Sequence, residues 1–146
     1  MGLISAWSDF APAYPSYTTH AWFDFLEPKR LATAVNSALR WYAPFMKSNV
    51  WFSPAKASKG DWSYLADANV DMHLTLGTRE LFEDEIRLLR DVMVRDGVDV
   101  QLHEVSDKYG PAAEAKHIDG VHAEMNLDAK ARVDFIQGLK ESISKS

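Results

Sequence analysis

Residues 70–104, VDMHLTLGTRELFEDEIRLLRDVMVRDGVDVQLHE, decide how this chain folds. Val70, Met72, Leu74 and Leu76 recur at every second position, the spacing of one face of a β-strand, and Gly77 stands where the chain must turn sharply. Beyond the turn, Leu81, Phe82, Ile86, Leu89, Val92 and Met93 follow the helical spacing of an amphipathic stripe. Glu83, Asp84 and Glu85 gather at the positive end of that helix, and Arg87, Arg90 and Arg95 lie further along it. Gly97 reads as the C-terminal cap, and Val98, Val100 and Leu102 alternate in a second strand. Strand, short turn, helix, short turn and strand form the crossover that joins parallel strands. The predicted class is therefore α/β with a parallel sheet. Reactive groups in such sheets sit beyond the carboxyl ends of the strands, here at Gly77-Thr78-Arg79-Glu80.

Upstream, residues 2–10 read as a short buried strand ending near Trp7, with Ser8 and Asp9 in the following turn. Prolines rule out regular structure over residues 11–15, and Tyr14 and Tyr17 suggest a loop held by aromatic contacts. A helix is predicted over residues 28–42, opened by Pro28, striped by Leu31, Val35, Leu39 and Tyr42, and stopped by Pro44. Fourteen of the seventeen aromatic residues, including all five tryptophans, fall between Trp7 and Tyr64. Aromatic clusters more often fill cores than line clefts, so packing is the preferred reading over an apolar ligand cleft. Downstream, a polar loop is expected over residues 106–124. A last helix is expected over 127–143, with Phe135, Ile136, Leu139 and Ile143 on one face.

A chain of 146 residues has room for one domain with a substantial core. The net charge of -5 is uneven: residues 1–66 carry six basic and four acidic side chains, residues 67–146 ten and seventeen. An acidic second half argues against a nucleic-acid partner, because phosphate binding needs clustered Lys and Arg. The absence of cysteine removes disulfides, thiolate metal sites and a cysteine nucleophile. No signal peptide, myristoylation pattern or membrane span is read, and cytoplasmic is the default location.

Five histidines are available, and His117 and His122 lie in the stretch HIDGVHAE of the polar loop. Their spacing matches no standard metal pairing, and no third ligand is marked, so no metal is assigned. His122-Ala-Glu124 has the His-x-Glu look of a deaminase but lacks the cysteines that chemistry requires. Glu80, one tight turn beyond a strand, can be aimed into a crevice above the sheet and orient an imidazole. The plainer reading of Glu80 is that it favours a helix N-terminus, and that of His122 is a solvated loop histidine. An acid after one strand and a histidine after the next make two members of a triad, acid then base. The third member is missing: of the seven glycines no two are four apart, so no Gly-x-Ser-x-Gly elbow is present. No glycine run offers oxyanion-hole amides either.

Several stretches resemble the α/β-hydrolases, in particular hormone-sensitive-lipase-like esterases and fungal steryl acetyl hydrolases. LISAWSDF is similar to the family's strand-six segment, with Ala6 in place of a usual proline. NVWFSPA, residues 49–55, is similar to the Asn-Pro-Tyr-x-Ser-Pro-Leu stretch before strand seven. Residues 77–85, GTRELFEDE, resemble the turn that supplies the triad acid, which points to Glu80. Gly120-Val121-His122 is similar to the segment that delivers the triad histidine, without the aromatic often found after it. The resemblance covers almost the whole chain but only the second half of the family's domain. In that family the oxyanion loop, the elbow and several strands would all precede the residue equivalent to Met1.

The resemblance implies a partial, three-layer α/β-hydrolase domain over residues 1–146, with a cap-like aromatic insertion over 11–55 and a βαβ core over 65–146. It implies a carboxylic-ester hydrolase segment acting on an acyl or acetyl ester of an apolar substrate, with no cofactor. His122 would serve as general base and acid, Glu80 would hold its tautomer, and a serine outside this chain would attack. Residues 22–52 would form part of a cap over the apolar group. Alone, such a segment is expected to be nearly inactive, and an open apolar sheet edge is expected to drive self-association. A second reading is a non-catalytic module that binds a partner or an apolar ligand.

Overall fold

The computed structural model describes residues 1–105 except Ser5, Pro12, Phe23 and Phe25, together with Ile136, Gln137, Lys140 and Ser144. The chain begins with strand β1 (Gly2–Ile4), a short helix α1 (Ser16–Thr19) and helix α2 (Pro28–Ala38). Two 3-10 turns follow, Pro44–Ser48 and Pro54–Lys56, and then helix α3 (Ser63–Asp67). Strand β2 (Met72–Gly77), helix α4 (Glu83–Arg95) and strand β3 (Val100–Val105) complete the described order. The sheet runs β1-β2-β3 and is parallel throughout, with Leu3 opposite Leu74 and Leu74 opposite Leu102. The predicted α/β class and the βαβ crossover are both present.

α4 forms where the stripe places it. Leu81, Phe82, Ile86, Leu89, Val92 and Met93 are all buried against Met72, Leu74 and Leu76. At its end, the Gly97 amide donates to the carbonyl of Val94 at 3.0 Å and the Val98 amide to that of Met93 at 3.1 Å. Gly97 sits at φ +88°, left-handed as a C-terminal cap requires. α2 buries Leu31 and Val35, with Leu39 as its cap residue.

Three expectations are corrected. The first strand stops at Ile4, well short of Trp7, because it pairs with β2 only over Gly2 to Ile4. The helix begun at Pro28 ends at Ala38 rather than near Tyr42, so Tyr42 leaves the apolar stripe and is exposed. The strand expected from Val70 begins at Met72, and every residue of β2 is buried, His73 and Thr75 included. A central strand of a parallel sheet is covered on both faces, so its polar alternate positions are buried too.

The loop over residues 106–124, with His117 and His122, lies outside the described residues. Of the helix expected over 127–143, Ile136, Gln137 and Lys140 are described, all in helical conformation. Among the described residues no helix is long and apolar enough to cross a membrane.

Candidate active site: the acid turn

The carboxyl end of β2 runs straight into a turn closed by the Glu80 amide, which donates to the Gly77 carbonyl at 3.1 Å. Glu80 is 4% exposed. Its carbonyl accepts the Glu83 amide at 3.2 Å, so the residue joins the turn to the start of α4. The position lies beyond the carboxyl end of a parallel strand, where reactive groups of such sheets sit.

What holds the turn comes from the first third of the chain. The Leu81 amide donates to Asp24 Oδ2 at 2.8 Å, and the Ser16 hydroxyl donates to the Leu81 carbonyl at 2.7 Å. His20 Nδ1 lies 3.0 Å from the Glu80 carbonyl, which can only accept, so the ring carries its hydrogen on Nδ1. The same nitrogen lies 3.4 Å from Glu83 Oε2. Asp24 Oδ1 also accepts the Leu26 amide at 2.9 Å, which fixes the carboxylate that grips Leu81. The Glu80–Leu81 peptide, at both its carbonyl and its amide, and the carbonyl of Leu81 are therefore pinned by side chains from outside residues 77–85.

The three acids that open α4 do more than complement its dipole. Asp84 Oδ2 accepts the Ser16 amide at 2.8 Å. Glu85 is fully buried, accepting the Ser8 amide at 2.6 Å through Oε1 and the Tyr17 hydroxyl at 2.9 Å through Oε2. The Ser8 hydroxyl returns a bond to the Glu85 carbonyl at 3.2 Å. Burial pushes the Glu85 carboxyl up to about 8, against the pull of these donors. Beside it, buried Asp9 accepts the Tyr14 hydroxyl at 2.6 Å and lies 3.1 Å from Lys56 Nζ. Burial and the neighbouring carboxylates hold the Tyr14 and Tyr17 phenols above their ordinary range.

Aromatic rings carry this anchoring outward. Trp7 stacks on Phe82 with centroids 5.9 Å apart and planes 8° from parallel, and it meets Phe10 at 4.8 Å. Phe10 meets Phe52 at 5.8 Å, and Phe52 meets Tyr42 at 5.6 Å. The aromatic region is thus neither wholly core nor wholly cleft: one ring series packs, while Trp22, Trp41, Phe45 and Trp51 are exposed.

A chain-wide comparison with protein families finds no matching family model, and no curated protein matches. Among solved structures the chain matches a hormone-sensitive lipase from a metagenome library. The TM-score is 0.68 at 20% identity, covering 99% of this chain and 43% of that one. The shared fold is a partial α/β fold of parallel strands with flanking helices. The chain spans 43% of the length of the lipase structure it matches.

Of the two predicted site residues, Glu80 lies buried in the turn after β2, and His122 lies outside the described residues. The two other central histidines are in the sheet: His73 Nδ1 on β2 and His103 Nε2 on β3 are 3.3 Å apart, with nearly parallel rings. Burial, then the His103 charge, lowers the pKa of His73. Among the described residues no group of three His, Asp or Glu side chains could hold a metal ion. Ser16, His20 and Asp24, the groups that pin the turn, were not singled out from sequence. No sequence signal marked these partners, because three consecutive acids are equally what a solvated helix N-terminus carries.

Proposed function

We propose that this chain is the segment of a serine-type carboxylic-ester hydrolase that carries the acid and the histidine of the triad. Glu80 orients His122 and stabilises its imidazolium; His122 takes the proton of a serine outside this chain and returns it to the leaving alcohol. The substrate is an acyl or acetyl ester of an apolar alcohol, and residues 22–52 form part of the cap over it. The observation that carries this reading is the place of Glu80: a buried carboxylate one closed turn beyond the central parallel strand, in a fold shared with a lipase. Without a Gly-x-Ser-x-Gly elbow in the sequence, the segment alone is nearly inactive, because nucleophile, base and oxyanion hole act as a unit.

Intact mass after exposure to a fluorophosphonate tests it, since that reagent marks only serines activated by a neighbouring base. Supplied with an elbow-bearing polypeptide, the chain is expected to promote an adduct that is lost in His122→Ala and Glu80→Gln and kept in His103→Ala. An adduct that survives both substitutions refutes the assignment. The exposed tryptophans favour a second reading, a non-catalytic module derived from the same fold, whose binding is indifferent to Glu80 and His122.

A further inference from the structure

The loop that follows α2 exposes three large rings within eleven residues. Trp41 is 82% exposed, Phe45 72% and Trp51 78%. Such exposure describes knobs, because a ring seated in a groove loses area to the walls. The loop behind them is firmly held. The Met46 amide donates to the Ala43 carbonyl at 2.9 Å, and the Phe52 and Ser53 amides donate to the Asn49 carbonyl at 2.9 and 2.8 Å. The Ser53 hydroxyl reaches the Lys47 carbonyl, and Phe52 is backed by Phe10. The rings therefore project from a hydrogen-bonded loop rather than from a slack one.

Charge sets this surface apart from the rest of the molecule. Residues 26–51 carry Lys29, Arg30, Arg40 and Lys47 against a single acid, Glu27, in a chain whose net charge is -5. Arg40 lies over the Trp41 ring, its Cζ 4.7 Å from the centroid, so a cation and an aromatic face are offered together.

We propose that the Trp41–Phe45–Trp51 platform docks on an anionic lipid surface. Tryptophan and phenylalanine insert at the boundary between headgroups and acyl chains, and flanking Lys and Arg are drawn to acidic headgroups. A fluid lipid layer closes around projecting rings without preformed pockets. A second copy of this chain meeting the platform face to face would set like charges against each other. The proposal does not depend on Glu80 or His122 acting in catalysis.

The test is co-sedimentation of the protein with vesicles of phosphatidylcholine alone and of phosphatidylcholine with phosphatidylserine, with tryptophan emission read in parallel. Binding is expected to the phosphatidylserine vesicles, with a blue shift, and to weaken at high salt. Trp41→Ala/Phe45→Ala/Trp51→Ala is expected to weaken it by at least ~tenfold. Arg40→Glu/Lys47→Glu, which leaves every ring in place, is expected to remove the preference for phosphatidylserine, so the two variants fail separately if either perturbs the fold. No binding to either vesicle, or binding unchanged in both variants, overturns the proposal. So does self-association, or capture of an acidic protein, that is abolished by the ring substitutions while vesicles are ignored; the platform is then a protein contact.

Discussion

Replacing Glu85 by glutamine is expected to reshape the pH dependence of stability. The side chain is fully buried between Ser8 and Tyr17, and its carboxyl stands near 8 in the folded protein against 4.5 for the ordinary group. Between those values the folded state holds a proton that the unfolded chain has released. Stability therefore falls as pH rises from about 4.5, and the loss is complete above about 8. At about 1.4 kcal/mol per pH unit the full loss is on the order of 4–5 kcal/mol, a large share of the ~5–15 kcal/mol typical of a domain. Glutamine mimics the protonated acid: its carbonyl accepts the Ser8 amide, and its amide group donates to the Tyr17 oxygen. Urea unfolding followed by tryptophan emission at pH 5, 6.5, 8 and 9 reads the difference directly. Glu85→Gln is expected to match the native protein at pH 5 and to exceed it by a few kcal/mol at pH 9. Both phenols in the cluster stay neutral over this range, so they do not contribute. Parallel stability curves for the two proteins would refute the reasoning.

Three further outcomes are expected. Asp24→Ala leaves the Leu81 amide without its acceptor and should cost about 1–3 kcal/mol in urea unfolding, while Asp24→Asn, which can serve only one of the two amides the carboxylate now holds, recovers only part of that loss. Gly97→Ala forces a left-handed alanine at φ +88° and should destabilise by about 1–2 kcal/mol; an added Cβ meets only Ala66 at 3.6 Å, so conformation rather than collision is the cause. His73 should titrate below 6.5 when its ring protons are followed by NMR. Its folded state prefers the neutral ring, so that contribution to stability is fully present above 6.5 and is lost as pH falls toward the folded value.

The fold was legible where one chemical pattern repeats along a short stretch. Period two over residues 70–76, a helical stripe from Leu81 to Met93 and a glycine at 97 are local features, and each located its element, although β2 begins only at Met72. Boundaries were less legible. Tyr42 keeps the helical spacing of α2, yet the helix ends four residues earlier, and nothing in the periodicity distinguishes a last turn from the loop that follows. The period-two pattern named only alternate positions of β2, and the sheet around them shows that His73 and Thr75 are covered as well.

The sequence by itself determined the parallel βαβ unit and the place of Glu80 at its turn, because strand, turn, helix and strand are each marked by residues a few positions apart and a short crossover leaves the strands parallel. The tertiary structure alone decided what holds that turn. Asp24 reaches Leu81 across 57 positions, Ser16 reaches it across 65, and Ser8 meets Glu85 across 77. A hydrogen bond depends on distance in space, and a chain closes such loops in many ways at similar entropic cost, so no local pattern selects these partners. Packing does: once α4 lies on the sheet, Glu85 is buried and must find donors, and Ser8 and Tyr17 are laid against it while Ser16 meets Asp84.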